Sequence, residues 1–204
     1  MLTIRSTTLP DAFHLACDPA LETQGRWLAE VVAGFAGQGV GLRAGVNIEV
    51  GWSLLRLVAQ ADGGLRLCEP DFAGDPFNGL RDDVSTTLRM LAVQNAFARR
   101  YGAEAARIRF DDKVIARKGA LAQERLWTLR SPPTRGDSGW YIGPLARLPA
   151  PQPHELESLF AFQLMSLRPQ LLQALTLPAD WAVVWDGSEV VEVLDEQGRA
   201  VAAR

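Results

Sequence analysis

Little in this chain is chemically reactive. His14 and His154 are its only histidines, and Cys17 and Cys68 its only cysteines. A zinc site needs three or four ligands. His14 and Cys17 lie near each other with no second cluster to complete a set, so no metal site is assigned. Two lone cysteines in a chain of 204 residues read as reduced thiols rather than as a disulfide framework. No run approaches the roughly 18 apolar residues of a membrane span. Met1 to Pro10 lacks a basic segment followed by a long apolar one, so no signal peptide is read and the expected location is the cytoplasm. Basic charge is not in excess either. The net charge of −3 and pI near 5.5 argue against nucleic-acid or anionic-membrane binding.

Catalytic signatures are equally scarce. Gly136-Asp137-Ser138-Gly139 is out of register for a nucleophile elbow, and a strand rather than a helix is expected after it. Gly34, Gly37, Gly39 and Gly41 follow a predicted helix instead of opening one, and no Gly-Lys-Ser/Thr accompanies them, so the phosphate-loop reading fails. No catalytic residue and no cofactor are assigned.

A 48% hydrophobic share is enough for a folded core. Leu2 and Ile4 suggest an edge strand ended by Thr8-Leu9-Pro10-Asp11. Asp18-Pro19 opens a helix through Leu28 and Phe35, stopped by Gly37-Gln38-Gly39. Val46–Val50, Trp52–Gln60 and Leu65–Leu67 read as a hairpin around Asp62-Gly63-Gly64, with Gly51 marking a bulge or a close approach. Asp82 or Asp83 caps a helix from Val84 to Tyr101, apolar almost all round and therefore expected to be central and buried. Strands follow at Ile108–Ala116 and Leu121–Leu129. After a proline-spaced linker, Leu156, Leu159, Phe160, Leu164 and Leu167 form a helical stripe. A short helix starts at Pro169, and Trp181–Trp185 pairs with Val190–Leu194 around Asp186-Gly187. Hairpins alternating with helices give an α+β fold with a mainly antiparallel sheet and packed helices. Residues 1–131 and 136–204 are expected as two regions of one compact unit, meeting near Pro132-Pro133.

Two features stand out as binding candidates. The stretch Glu69 to Asp83 holds Glu69, Asp71, Asp75, Asp82 and Asp83 against Arg81 alone. It suits a basic protein surface or, as an alternative, a divalent cation or other ligand, although its spacing is not that of a calcium loop. The second feature is the glycine-flanked stretch Asp137-Ser138-Gly139-Trp140-Tyr141, whose aromatic pair has hot-spot character. Candidate partner-binding residues are Glu69, Asp71, Asp75, Asp137, Ser138, Trp140 and Tyr141.

Asp137-Ser138-Gly139-Trp140, Leu167-Arg168-Pro169-Gln170-Leu171-Leu172, Leu177-Pro178 and the closing strands with Trp185 and Asp186-Gly187 resemble the immunity protein 33 domain family over about residues 136–204. That resemblance implies a bacterial immunity protein. Such a protein is not an enzyme and occludes a cognate toxin encoded nearby, of the polymorphic-toxin or type VI secretion kind. A ligand-binding domain using the acidic loop and a secretion-system adaptor are the other readings.

Overall fold

A computed structural model of the chain describes residues 1–6, 12–37, 41–146 and 148–204. The expected stops at Thr8–Asp11 and at Gln38-Gly39 lie outside the described residues. The chain divides into two compact units, Met1–Ala92 and Val93–Arg204. Both are α+β with mostly antiparallel sheets.

In the first unit the strands are β1 (Leu2–Arg5), β2 (Phe13–Cys17), β3 (Asn47–Val50), β4 (Ser53–Ala59), β5 (Leu65–Pro70) and β6 (Leu80–Arg81), with helix α1 at Glu22–Gly37. The sheet order is β1-β2-β5-β4-β3, and β6 pairs with the end of β5. Only β2 and β5 run parallel. Asp18 opens the 3-10 turn before α1, its carboxylate accepting from the Ala20 amide. Leu28, Ala29 and Val32 of α1 pack with Leu15, Leu55, Leu57 and Leu67 of the sheet. Each leucine and valine among them contributes about 1.5–3 kcal/mol on burial. The helix sits close at Gly25, where an added Cβ would meet Ile4 Cδ1 at 2.7 Å. The expected hairpin is a three-stranded meander. Gly51 lies in the turn between β3 and β4 at φ +55°, with the Leu91 side chain packed over it.

Helix α2 (Ser85–Arg100) spans the division between the units. Asp83, not Asp82, caps it, accepting from the Ser85 amide and hydroxyl at 2.9 and 2.6 Å. Asp82 instead pairs with Arg66. The helix is not buried all round. Val84, Leu88, Gln94, Phe97 and Ala98 form its buried stripe, while Val93 is 48% exposed and Arg89, Arg99 and Arg100 face solvent. Ser85, Thr87 and Gln94 are its buried polar residues, and the Gln94 side chain donates to the Leu172 carbonyl at 3.2 Å.

The second unit contains β7 (Lys113–Arg117), β8 (Arg125–Arg130), β9 (Asp137–Pro144), β10 (Leu156–Phe160), β11 (Ala182–Asp186) and β12 (Glu189–Leu194), with the one-turn helix α3 at Leu164–Leu167. Their order is β10-β7-β9-β8-β11-β12. β9 inserts between β7 and β8 and runs parallel to β7, so Ser131-Pro132-Pro133 lies on a connection inside one sheet. The expected hairpin of β11 and β12 is present. The expected helix over Leu156–Phe160 is instead an edge strand paired with β7. Leu156 and Phe160, four apart, share a face in either a helix or a strand, and pairing to an open sheet edge outweighs local propensity. Within the expected stripe, helical structure begins only after Phe160, while a 3-10 turn at Pro153–Glu155 precedes the strand.

Candidate functional site

β9 separates its residues by pleat. Ser138, Trp140 and Ile142 point to the core and are each 1% exposed, while Tyr141 points outward. The strand is entered through a tight turn in which Thr134 and Asp137 exchange backbone hydrogen bonds and Gly136 takes φ +78°. The Asp137 carboxylate accepts from the Gly139 amide at 2.8 Å. Gly139, also at φ +78°, lies so close to the Ser131 carbonyl that a Cβ would approach its oxygen to 2.0 Å.

The inward side chains tie elements together. Ser138 Oγ donates to the Lys113 carbonyl at 2.6 Å, and the Trp140 indole N–H donates to the Leu175 carbonyl at 2.9 Å. Arg130, 1% exposed at the end of β8, donates to the carbonyls of Ser138, Leu177 and Arg107 at 3.1, 2.5 and 2.7 Å. Burial lowers its pKa, opposed only in part by the charge of Asp112. Arg168 makes a similar knot, donating to the Leu121, Gln123 and Gly187 carbonyls, while Leu171 and Leu172 are buried. The motifs Ser-Gly-Trp and Arg-Pro-Gln-Leu-Leu therefore build the scaffold. Ser138 and Trp140 are not surface residues.

Tyr141 lies on the other face. Its ring meets Trp127 of β8 edge-on with centroids 5.7 Å apart. Both rings cover Gly143, where a Cβ would clash with Tyr141 at 2.7 Å and with the Trp127 indole nitrogen at 3.0 Å. Partial burial raises the Tyr141 pKa, so the phenol is neutral and a hydrogen-bond donor at neutral pH.

The acidic stretch belongs to the first unit and is a set of separate tasks. Glu69, 1% exposed in β5, accepts from the Thr86 and Thr87 amides at 3.3 and 2.7 Å and so caps α2 from a distance. Burial pushes its pKa up, partly opposed by those hydrogen bonds. Asp75 is exposed and holds its own turn, accepting from the Phe77 and Asn78 amides and from the Asn78 side chain, which keep its pKa low. Asp71 is partly exposed, with Arg81 at 3.8 Å. Among the described residues no group of three histidine, cysteine or carboxylate side chains is placed to hold a metal.

His14 and Cys17, three apart on β2, cannot share a face of the strand. Cys17 is buried and burial raises its pKa. His14 Nε2 accepts from Arg66 Nε at 2.7 Å in a cleft of about 650 Å³ that Arg5, Asp62 and Asp82 also line.

Of the expected residues, then, Asp71 and Asp75 share one exposed turn of the first unit, while Asp137 and Tyr141 are partly exposed in the second. Glu69, Ser138 and Trp140 are interior. Sequence reasoning passed over Arg130. Its signal was its phase: with Leu126 and Thr128 it falls on the inward positions of an alternating strand.

The Imm33-like domain profile matches residues 93–196, from the middle of α2 through the end of β12. The chain belongs to the Imm33-like family. The match covers just over half of the chain and nearly all of the second unit, beginning well before Gly136. The Imm33-like family is an immunity-protein family, whose members are typically not enzymes and have a cognate toxin as partner. No curated protein and no solved structure matches the chain. Among the described residues, no helix is long and apolar enough to cross a membrane.

Proposed function

We propose that this protein binds one cognate toxin, of the polymorphic-toxin or type VI secretion kind, and neutralises it by covering its working surface. The observation that carries this reading is the Imm33-like match over nearly the whole second unit. The geometry agrees with it: the polar side chains of the motif region are bound into backbone hydrogen bonds rather than gathered around a reacting centre. The exposed turn of Asp71 and Asp75 supplies negative charge that attracts a basic toxin surface and speeds encounter, with Asp137 as a further contact. The complex forms in the cytoplasm.

The test is co-expression with the protein encoded beside it, scored by growth and by co-purification. Rescue of growth together with a stable complex is expected. A folded protein that neither rescues growth nor forms a complex overturns the immunity reading. A bound protein without toxicity of its own would instead mark an adaptor.

A further inference from the structure

The second sheet carries an uncharged row across all six strands, on the face away from its core. Cross-strand register places Ser158 beside Ile115, Ile115 beside Tyr141, Tyr141 beside Leu129, Leu129 beside Ala182, and Ala182 beside Leu194. Neighbouring strands lie about 4.8 Å apart, so the row reaches about 24 Å. The alternate residues, among them Val114, Leu126, Trp140, Val183 and Val193, are buried on the opposite face. A sheet with one solvated face ordinarily turns polar residues to water, and here Ile115, Tyr141, Leu129 and Leu194 are half-buried and Ala182 is buried. Trp127 extends the row, packed against Tyr141 and over the glycine floor at Gly143.

Charge gathers at one end. Val184, beside Trp127, is followed by Glu192, and Asp186 is followed by Glu189. Asp186 is paired with Arg125, but among the described residues Glu189 and Glu192 have no ion pair. On the other side, Arg117 is neutralised by Glu155 at 2.8 Å. Lys113, exposed on the same face of β7, lies beside Asp137 of β9, so the charge left over beside the apolar row is negative and lies along β12.

We propose that this face docks the cognate toxin, through a toxin surface that is apolar at its centre and basic where it meets Glu189 and Glu192. The assignment rests on the immunity reading and gives it a location. A pleated sheet face of this span suits a protein contact. A tryptophan and a tyrosine at its centre are the residue types that most often dominate such contacts, and the carboxylates at the edge supply charge complementarity to one kind of partner.

The experiment uses the full chain and the toxin encoded beside it. Leu129→Lys and Ile115→Lys put charge into the half-exposed row, and Glu189→Lys with Glu192→Lys reverses its edge. Circular dichroism verifies that each variant is folded. Leu129→Lys should weaken the complex by about 30-fold or more, and the double reversal should slow association in a salt-dependent way. Hydroxyl-radical footprinting of the unaltered protein gives a readout independent of any variant, with Trp127 and Tyr141 protected in the complex. A complex that tolerates Leu129→Lys and leaves both rings reactive overturns the assignment while the immunity reading stands. A dimer of the unaltered protein that Leu129→Lys converts to monomer also overturns it, making the face a self-contact. No complex with the unaltered protein removes both readings.

Discussion

The two sheets share a plan and differ in what they show to solvent. Each has one parallel pair, β2 with β5 or β7 with β9, inside otherwise antiparallel neighbours. Across the first sheet the register runs Arg5, His14, Arg66, Val58. Across the second it runs Ser158, Ile115, Tyr141, Leu129, Ala182, Leu194. In the first, the polar groups satisfy one another outside the core: Arg66 donates to His14 and pairs with Asp82. In the second, the polar anchors lie inside, and the outward row is left apolar. A sheet that keeps its arginine knot in the interior can leave its outer face free for another molecule.

The largest effect that would test this contrast is at Gly139. Replacement by alanine forces a Cβ to 2.0 Å from the Ser131 oxygen, and the urea midpoint should fall by the equivalent of at least about 4 kcal/mol or folding should fail. Gly136→Ala is the control, since it has similar φ and nothing within 4 Å of the new Cβ. It should lose only about 1 kcal/mol. Equal losses would mean that the close approach is not what fixes this turn.

Next in size is Arg130→Met. It leaves the buried carbonyls of Ser138 and Leu177, and the partly buried one of Arg107, without their donor and should destabilise by about 3 kcal/mol in urea unfolding. Arg66→Met in the first sheet removes a half-exposed ion pair and should change stability by no more than about 1 kcal/mol. A reversal of that order would break the comparison between the two sheets.

Glu69 makes a smaller, pH-dependent contribution. Its folded pKa is raised above the ordinary 4.5 by burial, so the folded state binds its proton more tightly than the unfolded chain does. The stability linked to that proton is present in full below 4.5 and is lost as pH climbs through the raised folded value. Glu69→Gln should remove this component from the pH dependence of the urea midpoint. Curves for the two proteins that stay parallel from pH 4 to about 8 would contradict the sign.

The smallest effect on stability belongs to Asp71→Asn with Asp75→Asn, because an asparagine amide oxygen can still accept from the Phe77 and Asn78 amides that hold the turn. Thermal midpoints should be nearly unchanged, while association with the toxin slows several-fold at low salt and less so at high salt. Unaltered association at low salt would remove this turn from the interface.

Much of the fold was legible because its signals are local. Asp18-Pro19 opens the first helical turn, and Asp186-Gly187 makes the last hairpin. What was not legible depends on distant pairing. Nothing within Leu156–Phe160 says that an open edge at β7 awaits it, and nothing near Lys118-Gly119 says that a later strand will enter between its flanks. Three of the candidate residues, Glu69, Ser138 and Trp140, are interior for the same kind of reason. Glu69 looks like one more acid in an acidic loop until α2 supplies its two amides. Ser138 and Trp140 are polar or amphipathic residues beside glycines, which suggests a surface, yet period-two alternation through Ile142 already placed them inward. The same alternation placed Tyr141 outward, with Trp127 and Leu129.

The pleat of β7, β8 and β9 also divides labour by number. Positions 114, 116, 126, 128, 130, 138, 140 and 142 face the core, and positions 115, 127, 129 and 141 face out. Changes at the second set leave the first untouched, so recognition can be rewritten while the architecture is inherited. A library varied only at those four outward positions, with every inward residue fixed, would be a compact route to proteins that refuse their original target and accept a new one.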